Sequence, residues 1–147
     1  MRMVKMIDVS KKLEQYREAI AYGEIKLKPE TIKLIEERRI EKGDPIQIAK
    51  LAGIQGAKFT PTVMPLCHPI PIENVDVDIS IKDDRIIVKA KVIANSKTGV
   101  EMEALTATVI ALLNLWDVVK KYEKDEKGQY PTTAITNIRV VKKIKKA

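Results

Sequence analysis

From residue 75 to residue 94, apolar and polar positions alternate almost without a break. Val75, Val77, Ile79 and Ile81 are interleaved with Asp76, Asp78, Ser80 and Lys82. Asp83 and Asp84 then interrupt the pattern, and Ile86, Val88, Ala90, Val92 and Ala94 resume it. Successive side chains of a strand point to opposite faces, so this period of two predicts a hairpin with one face buried and one wet. REAIAYGEIKL (17–27) predicts an earlier strand and AITNIRVV (134–141) a last one.

Helical spacing governs the remainder. Ile32 and Ile35 after Pro29 predict a helix stopped at Gly43, and Asp44-Pro45 gives a second helix its cap and first turn. Ala49, Ala52, Gly53, Gly56 and Ala57 in that second helix suit close approach to another backbone. A long helix is predicted over 98–122. Thr98 and Glu101 have the spacing of a capping box, and Lys120 and Lys121 suit the negative end of the helix. Met102, Leu105, Val109, Leu112 and Trp116 form its expected core stripe, beside a more polar stripe of Glu103, Thr106, Ile110, Asn114 and Asp117. Helices interleaved with antiparallel strands predict an α+β fold, a ferredoxin-like antiparallel sheet packed with helices. One domain is expected over 1–147, with 138–147 as strand end plus basic C-terminal tail.

Composition narrows the class. A chain of 147 residues, 45% apolar and 32% charged, can bury a core, which excludes a disordered chain. One cysteine excludes an internal disulfide, and neither a leader segment nor a long apolar run is recognisable. The expectation is a soluble cytoplasmic protein without a membrane partner. The net charge of +7 points to an anionic ligand. Aromatic residues are 4% of the chain and none alternates with basic ones, which argues against a surface for stacking bases. A basic ferredoxin-like nucleic-acid-binding module is the alternative that this weighs against.

Three places carry candidate chemistry. In PTVMPLCHPIPI (61–72) the only cysteine, Cys67, adjoins the only histidine, His68, among four prolines. No further Cys or His exists to complete a tetrahedral metal set, so no metal is assigned. Adjacent residues in extended chain point apart, which separates this pair as a thiolate–imidazole dyad. A buried Cys67 with a loop-fixing histidine and a rigid wall against a ligand both remain open. Asp117 and Lys120, three apart on the long helix, share a face, either as a surface ion pair or as part of a site. Glu103 lies fourteen residues before Asp117, nearly a whole number of turns and about 21 Å along the axis. If both serve one small ligand, two copies packed antiparallel bring them together more easily than one chain does. Lys42, near Arg38 and Arg39, is either an ordinary exposed lysine or one tuned by crowded cations.

MIDVS (6–10), KGDP (42–45), AKLAGIQGAK (49–58), MPLCHPIPI (64–72), KTGVEMEALTA (97–107) and WDVVK (116–120) together resemble the cyclic pyranopterin monophosphate synthases, the protein C family of molybdenum cofactor biosynthesis. The resemblance runs from about Met6 to Lys143. It implies a ferredoxin-like subunit in a homohexamer, a trimer of dimers with sites at dimer interfaces. It implies conversion of (8S)-3′,8-cyclo-7,8-dihydroguanosine 5′-triphosphate, a GTP-derived small molecule, to cyclic pyranopterin monophosphate and diphosphate. By matched motif, Leu66, Cys67, His68, Met102 and Glu103 correspond to substrate-binding positions, and Asp117, Lys120 and Lys42 to catalytic ones. No cofactor is implied; Mg2+ accompanying the triphosphate is left open. Lys50 departs from the arginine usual in bacterial members, and Lys142 to Ala147 replace their Gly-rich ending. Lys42, Lys50, Lys58 and Lys120 are the expected cations for the leaving diphosphate.

Overall fold

A computed structural model describes residues 1–147. The elements run β1 (Gln15–Lys26), α1 (Pro29–Glu36), α2 (Pro45–Lys58), α3 (Thr60–Val63), β2 (Ile72–Ile81), β3 (Arg85–Ser96), α4 (Glu101–Glu123) and β4 (Ala134–Lys146). The strands form one sheet in the order β2-β3-β1-β4 with every neighbour antiparallel. Two β-α-β units are therefore interleaved, each with a strand of the other between its own pair. This is the α+β class that the alternation predicts.

The expected hairpin is present as β2–β3. Ile86, Val88, Ala90, Val92 and Ala94 all lie in the core, and Val77 joins them from the edge strand. Helix α4 covers β1 and β3, and α2 packs between α4 and β2. Small residues set these distances. A Cβ on Gly56 would sit 2.9 Å from Ile110 Cβ and 3.2 Å from the Thr106 carbonyl oxygen, so the two helices touch almost backbone to backbone. Gly23 of β1 plays the same part beneath α4, where a Cβ would lie 2.7 Å from Leu112 Cδ1. Leu112 and Leu115 are fully buried, each contributing about 2 kcal/mol of apolar burial. The Asp44 side chain caps α2 by accepting from the Ile46 N–H at 2.9 Å, as expected.

Three expectations about the helices need correction. Helix α1 ends at Glu36, well short of Gly43, because Arg38 turns left-handed with φ +57°. Seven residues on from Ile32, a continued helix would carry Arg39 on the core face; the turn buries Ile40 instead. The Thr98–Glu101 capping box does not form: α4 starts with Val100 as its cap residue, and the Glu101 carboxylate pairs with Lys143. The expected core stripe of α4 is rotated. Of its five residues only Leu112 is buried, while Glu103, Ala104, Ala107, Thr108 and Ala111 face inward. Small residues meet where the elements approach most closely: Ala107 and Ala111 lie against Gly53, while Leu112 fits over Gly23 because that glycine carries no side chain.

The basic tail is strand. β4 runs to Lys146, pairing Lys145 with Arg17 and Lys143 with Ala19. An edge strand wetted on both faces needs no alternation, and lysines on an edge deter pairing with other chains. The sequence reading finds no long apolar run, yet α4 is long and apolar enough to cross a membrane, since its charges cluster at its ends. Half of its most apolar window is buried inside the fold, as in a core helix.

Candidate functional site

The residues singled out in the sequence fall into two clusters, one at each end of α4. The first surrounds a cavity of about 390 Å³. Its walls bring together Leu66, Cys67 and His68 of the proline segment with Met102 and Glu103 from the first turn of α4. The prolines hold this wall in extended and turn geometry. The N-terminal arm closes the cavity with Ile7, Val9 and Lys12, and His68 Nε2 bonds the Ile7 carbonyl oxygen at 2.8 Å. Cys67 and His68 thus serve one cavity without forming a dyad.

Glu103 dominates the chemistry of this end. Its side chain is 1% exposed and no basic residue pairs with it. Burial raises its pKa to about 7; its own backbone N–H opposes the rise, and the Glu101 charge adds to it. A carboxyl poised in this way is a proton donor or acceptor near neutrality. Burial, then the charge of Glu103, pushes the Cys67 thiol up, which disfavours the thiolate.

The sequence reading did not place Lys12, the arm residues Ile7 and Val9, or the Glu101–Lys143 pair at this end. The MIDVS string was a signal for the arm. Nothing local marked Lys143, whose position follows from a strand continuing where a tail was expected. Arg17, almost fully buried, donates from Nη2 to the Lys97 carbonyl oxygen at 3.2 Å and so ties the loop before α4 to β1.

The second cluster lies at the opposite end of α4, about 21 Å along its axis by helical rise. One carboxylate joins two lysines there. Asp117 Oδ1 accepts from Lys120 Nζ at 3.2 Å, and Oδ2 accepts from Lys42 Nζ at 3.3 Å. Lys42 Nζ also reaches the Asp117 carbonyl oxygen at 3.3 Å. Lys120, then Lys42, holds the Asp117 carboxyl below the usual carboxylate range. The three side chains are 56%, 50% and 43% exposed for Asp117, Lys42 and Lys120, so the cluster faces solvent. The neighbour that Lys42 acquires is an anion rather than the two arginines: Arg39 pairs with Glu37, and Arg38 lines a separate cavity.

Asp117 and Lys120 border two hollows. One, of about 250 Å³, sets three lysines, Lys42, Lys120 and Lys121, against two carboxylates, Glu41 and Asp117. The other is an open shelf of Leu113, Trp116, Tyr130 and Ile135, with Trp116 and Tyr130 edge to face at 5.2 Å. Lys50 and Lys58, on α2, line neither cluster.

The MoaC family matches residues 6–146. A protein of Sulfurisphaera tokodaii named "probable cyclic pyranopterin monophosphate synthase" is 57% identical over 145 residues, which is 99% of this chain and 96% of its own length. Proteins with the same name from Sulfolobus acidocaldarius and Pyrococcus furiosus are 61% and 58% identical, over 95% and 97% of this chain and 98% and 91% of their own lengths. The matched span includes both ends of α4, the proline segment and the arm. The chain belongs to the MoaC family.

Proposed function

We infer that this chain is a cyclic pyranopterin monophosphate synthase, converting (8S)-3′,8-cyclo-7,8-dihydroguanosine 5′-triphosphate to cyclic pyranopterin monophosphate and diphosphate. The observation that carries the reading is the full-length family match, which covers the motifs at both ends of α4. The chemistry is consistent with it. Remaking the rings of a guanine-derived nucleotide takes several proton transfers, and closing the cyclic phosphate expels a diphosphate. In that closure a sugar-derived oxygen bonds the α-phosphorus, the bond to the bridging oxygen breaks, and the hydroxyl proton passes to a base.

In this proposal Glu103, Leu66, Cys67, His68 and Met102 hold the purine-derived portion. Glu103 suits a donor-rich amide and amidine edge because its carboxyl can accept hydrogen bonds and exchange a proton. Lys42 and Lys120 act as acid and base, and Asp117 holds the two ammonium groups in place. The same lysines neutralise charge on the leaving diphosphate. This side offers cations rather than a set of carboxylate ligands, so the proposal gives Mg2+ no protein ligand and leaves it as a companion of the triphosphate.

The two clusters belong to one site only if two copies meet. Leu105, Val109 and Trp116 of α4 are half-buried, and Leu113 of α4 and Ile138 and Val140 of β4 are exposed. A second copy laid antiparallel along this strip would bring the Asp117 end of one chain to the Glu103 end of the other, twice by symmetry. A homohexamer built as a trimer of such dimers on the ferredoxin-like plan, working in the cytoplasm, completes the proposal. Incubating the purified protein with the cyclised triphosphate tests the reaction: release of diphosphate with a pterin chromophore supports it, and an unchanged substrate refutes it.

A further inference from the structure

Lys42 poses a problem of placement. It sits on the loop between α1 and α2, its side chain is half exposed, and four flexible bonds separate its ammonium from the backbone. The loop's backbone bonds are made within the loop or to the end of α1: Glu37 to Lys33, Arg38 to Ile35, Arg39 to Leu34 and Gly43 to Ile40. None of these fixes the loop relative to α4, where Asp117 lies.

One residue earlier, the loop is fastened. The Glu41 N–H donates to the Tyr122 hydroxyl at 2.9 Å, and the Glu41 carboxylate pairs with Lys121. Tyr122 projects from an end of α4 that is itself held fast. The next residue, Glu123, is fully buried and accepts from Thr31 Oγ1, from Thr133 Oγ1 at 2.6 Å and from the Lys28 N–H at 3.1 Å. This carboxylate binds the end of α4 to the start of α1 and to the segment before β4. The tyrosine hydroxyl is therefore a fixed point, one peptide from the Cα that carries the Lys42 side chain.

We propose that Tyr122, assisted by the Glu41–Lys121 pair, is a positioning residue that holds Lys42 against Asp117. Tyr122 touches no reacting atom; it acts through the lysine. The inference rests on the assignment of Lys42 to the reaction, and its test separates the two.

The experiment compares Tyr122→Phe, Lys42→Ala and the double variant in the full-length protein. Phenylalanine keeps the half-buried ring and removes only the acceptor. Two quantities are read: turnover of the cyclised triphosphate, and the titration of the Asp117 carboxyl carbon by 13C NMR. The charged groups around that carboxyl are Lys120 on its own helix, Lys42 on the loop, and Lys121 and Glu41 beside the smaller hollow. Misplacing a catalytic group by an ångström costs up to about a hundredfold in rate, so kcat of Tyr122→Phe is expected to fall about tenfold or more. In the Lys42→Ala background the same change is expected to cost nothing further. The Asp117 midpoint is expected to rise in Tyr122→Phe, in the direction that Lys42→Ala moves it.

A Tyr122→Phe protein with unaltered turnover and an unaltered Asp117 midpoint overturns the proposal. So does a loss that multiplies with that of Lys42→Ala, which is the behaviour of a general structural defect. If Lys42→Ala keeps normal turnover, the lysine's catalytic assignment fails, and the Asp117 midpoint in Tyr122→Phe alone decides whether the tyrosine places it.

Discussion

Replacing Glu103 by glutamine changes one oxygen to an amide and removes one proton equilibrium. In the native fold burial raises that pKa from an ordinary 4.5 to about 7. Between these two values the folded state binds the proton and the unfolded state does not. Stability contributed at this position is therefore greatest below pH 4.5, falls as pH rises, and levels out above 7. Each pH unit is worth about 1.4 kcal/mol, so the whole interval corresponds to about 3 kcal/mol, an upper bound because the cavity admits some solvent. Glutamine carries no such cost. Urea unfolding of the two proteins at one fixed concentration, at pH 5 and pH 8, measures the difference. The variant should gain on the parent by up to about 2.5 kcal/mol between the two conditions, since part of the effect is already lost at pH 5, even where turnover is lost. An equal difference at both pH values would refute the reasoning, since it would mean that Glu103 ionises as a solvated carboxylate does.

Other outcomes follow from the same geometry. Cys67→Ser should retain turnover within a few-fold, because a thiol pushed up by burial is no nucleophile; abolition would mean a covalent step. Lys42→Ala and Lys120→Ala, tested separately, should each lower kcat by about a hundredfold or more, the usual worth of a general acid or base. Gly56→Ala should destabilise the fold by about 1–3 kcal/mol in urea unfolding, because its Cβ would lie 2.9 Å from Ile110 Cβ. Glu123→Ala should cost about 1–3 kcal/mol for each buried donor it strands, read as a lowered unfolding midpoint.

The β2–β3 hairpin and the capped α2 were legible because period and cap chemistry are local. So was the close contact of α2 with another backbone, announced by its glycines and alanines. The face of α4 was misjudged for a tertiary reason: its large side chains look like core by composition, but Ala104, Ala107 and Ala111 share the buried face with Leu112 and Leu115, and Leu105, Val109 and Trp116 are left half-buried. The last strand was cut short because an edge strand of lysines carries no alternation. At the site, the strings around Cys67, Glu103 and Asp117 named the residues. What they did not carry was the partner each acquires across long sequence separations: Lys42 for Asp117, Ile7 for His68, Lys143 for Glu101. Loop placement and strand register decide those pairings, and neither is written in a short window.

A mixing experiment between two defective chains tests the central claim most directly. His68→Ala damages the cavity end of α4 and Lys120→Ala the lysine end, so each alone should turn over little substrate. If every site takes one end from each of two copies, equal amounts of the two variants, unfolded and reassembled together, will form some sites free of either lesion. Random pairing predicts recovery to about a quarter of the parent's turnover. Activity that stays at the level of the separate variants, despite mixed assembly shown by native mass spectrometry, would contradict a site shared between chains.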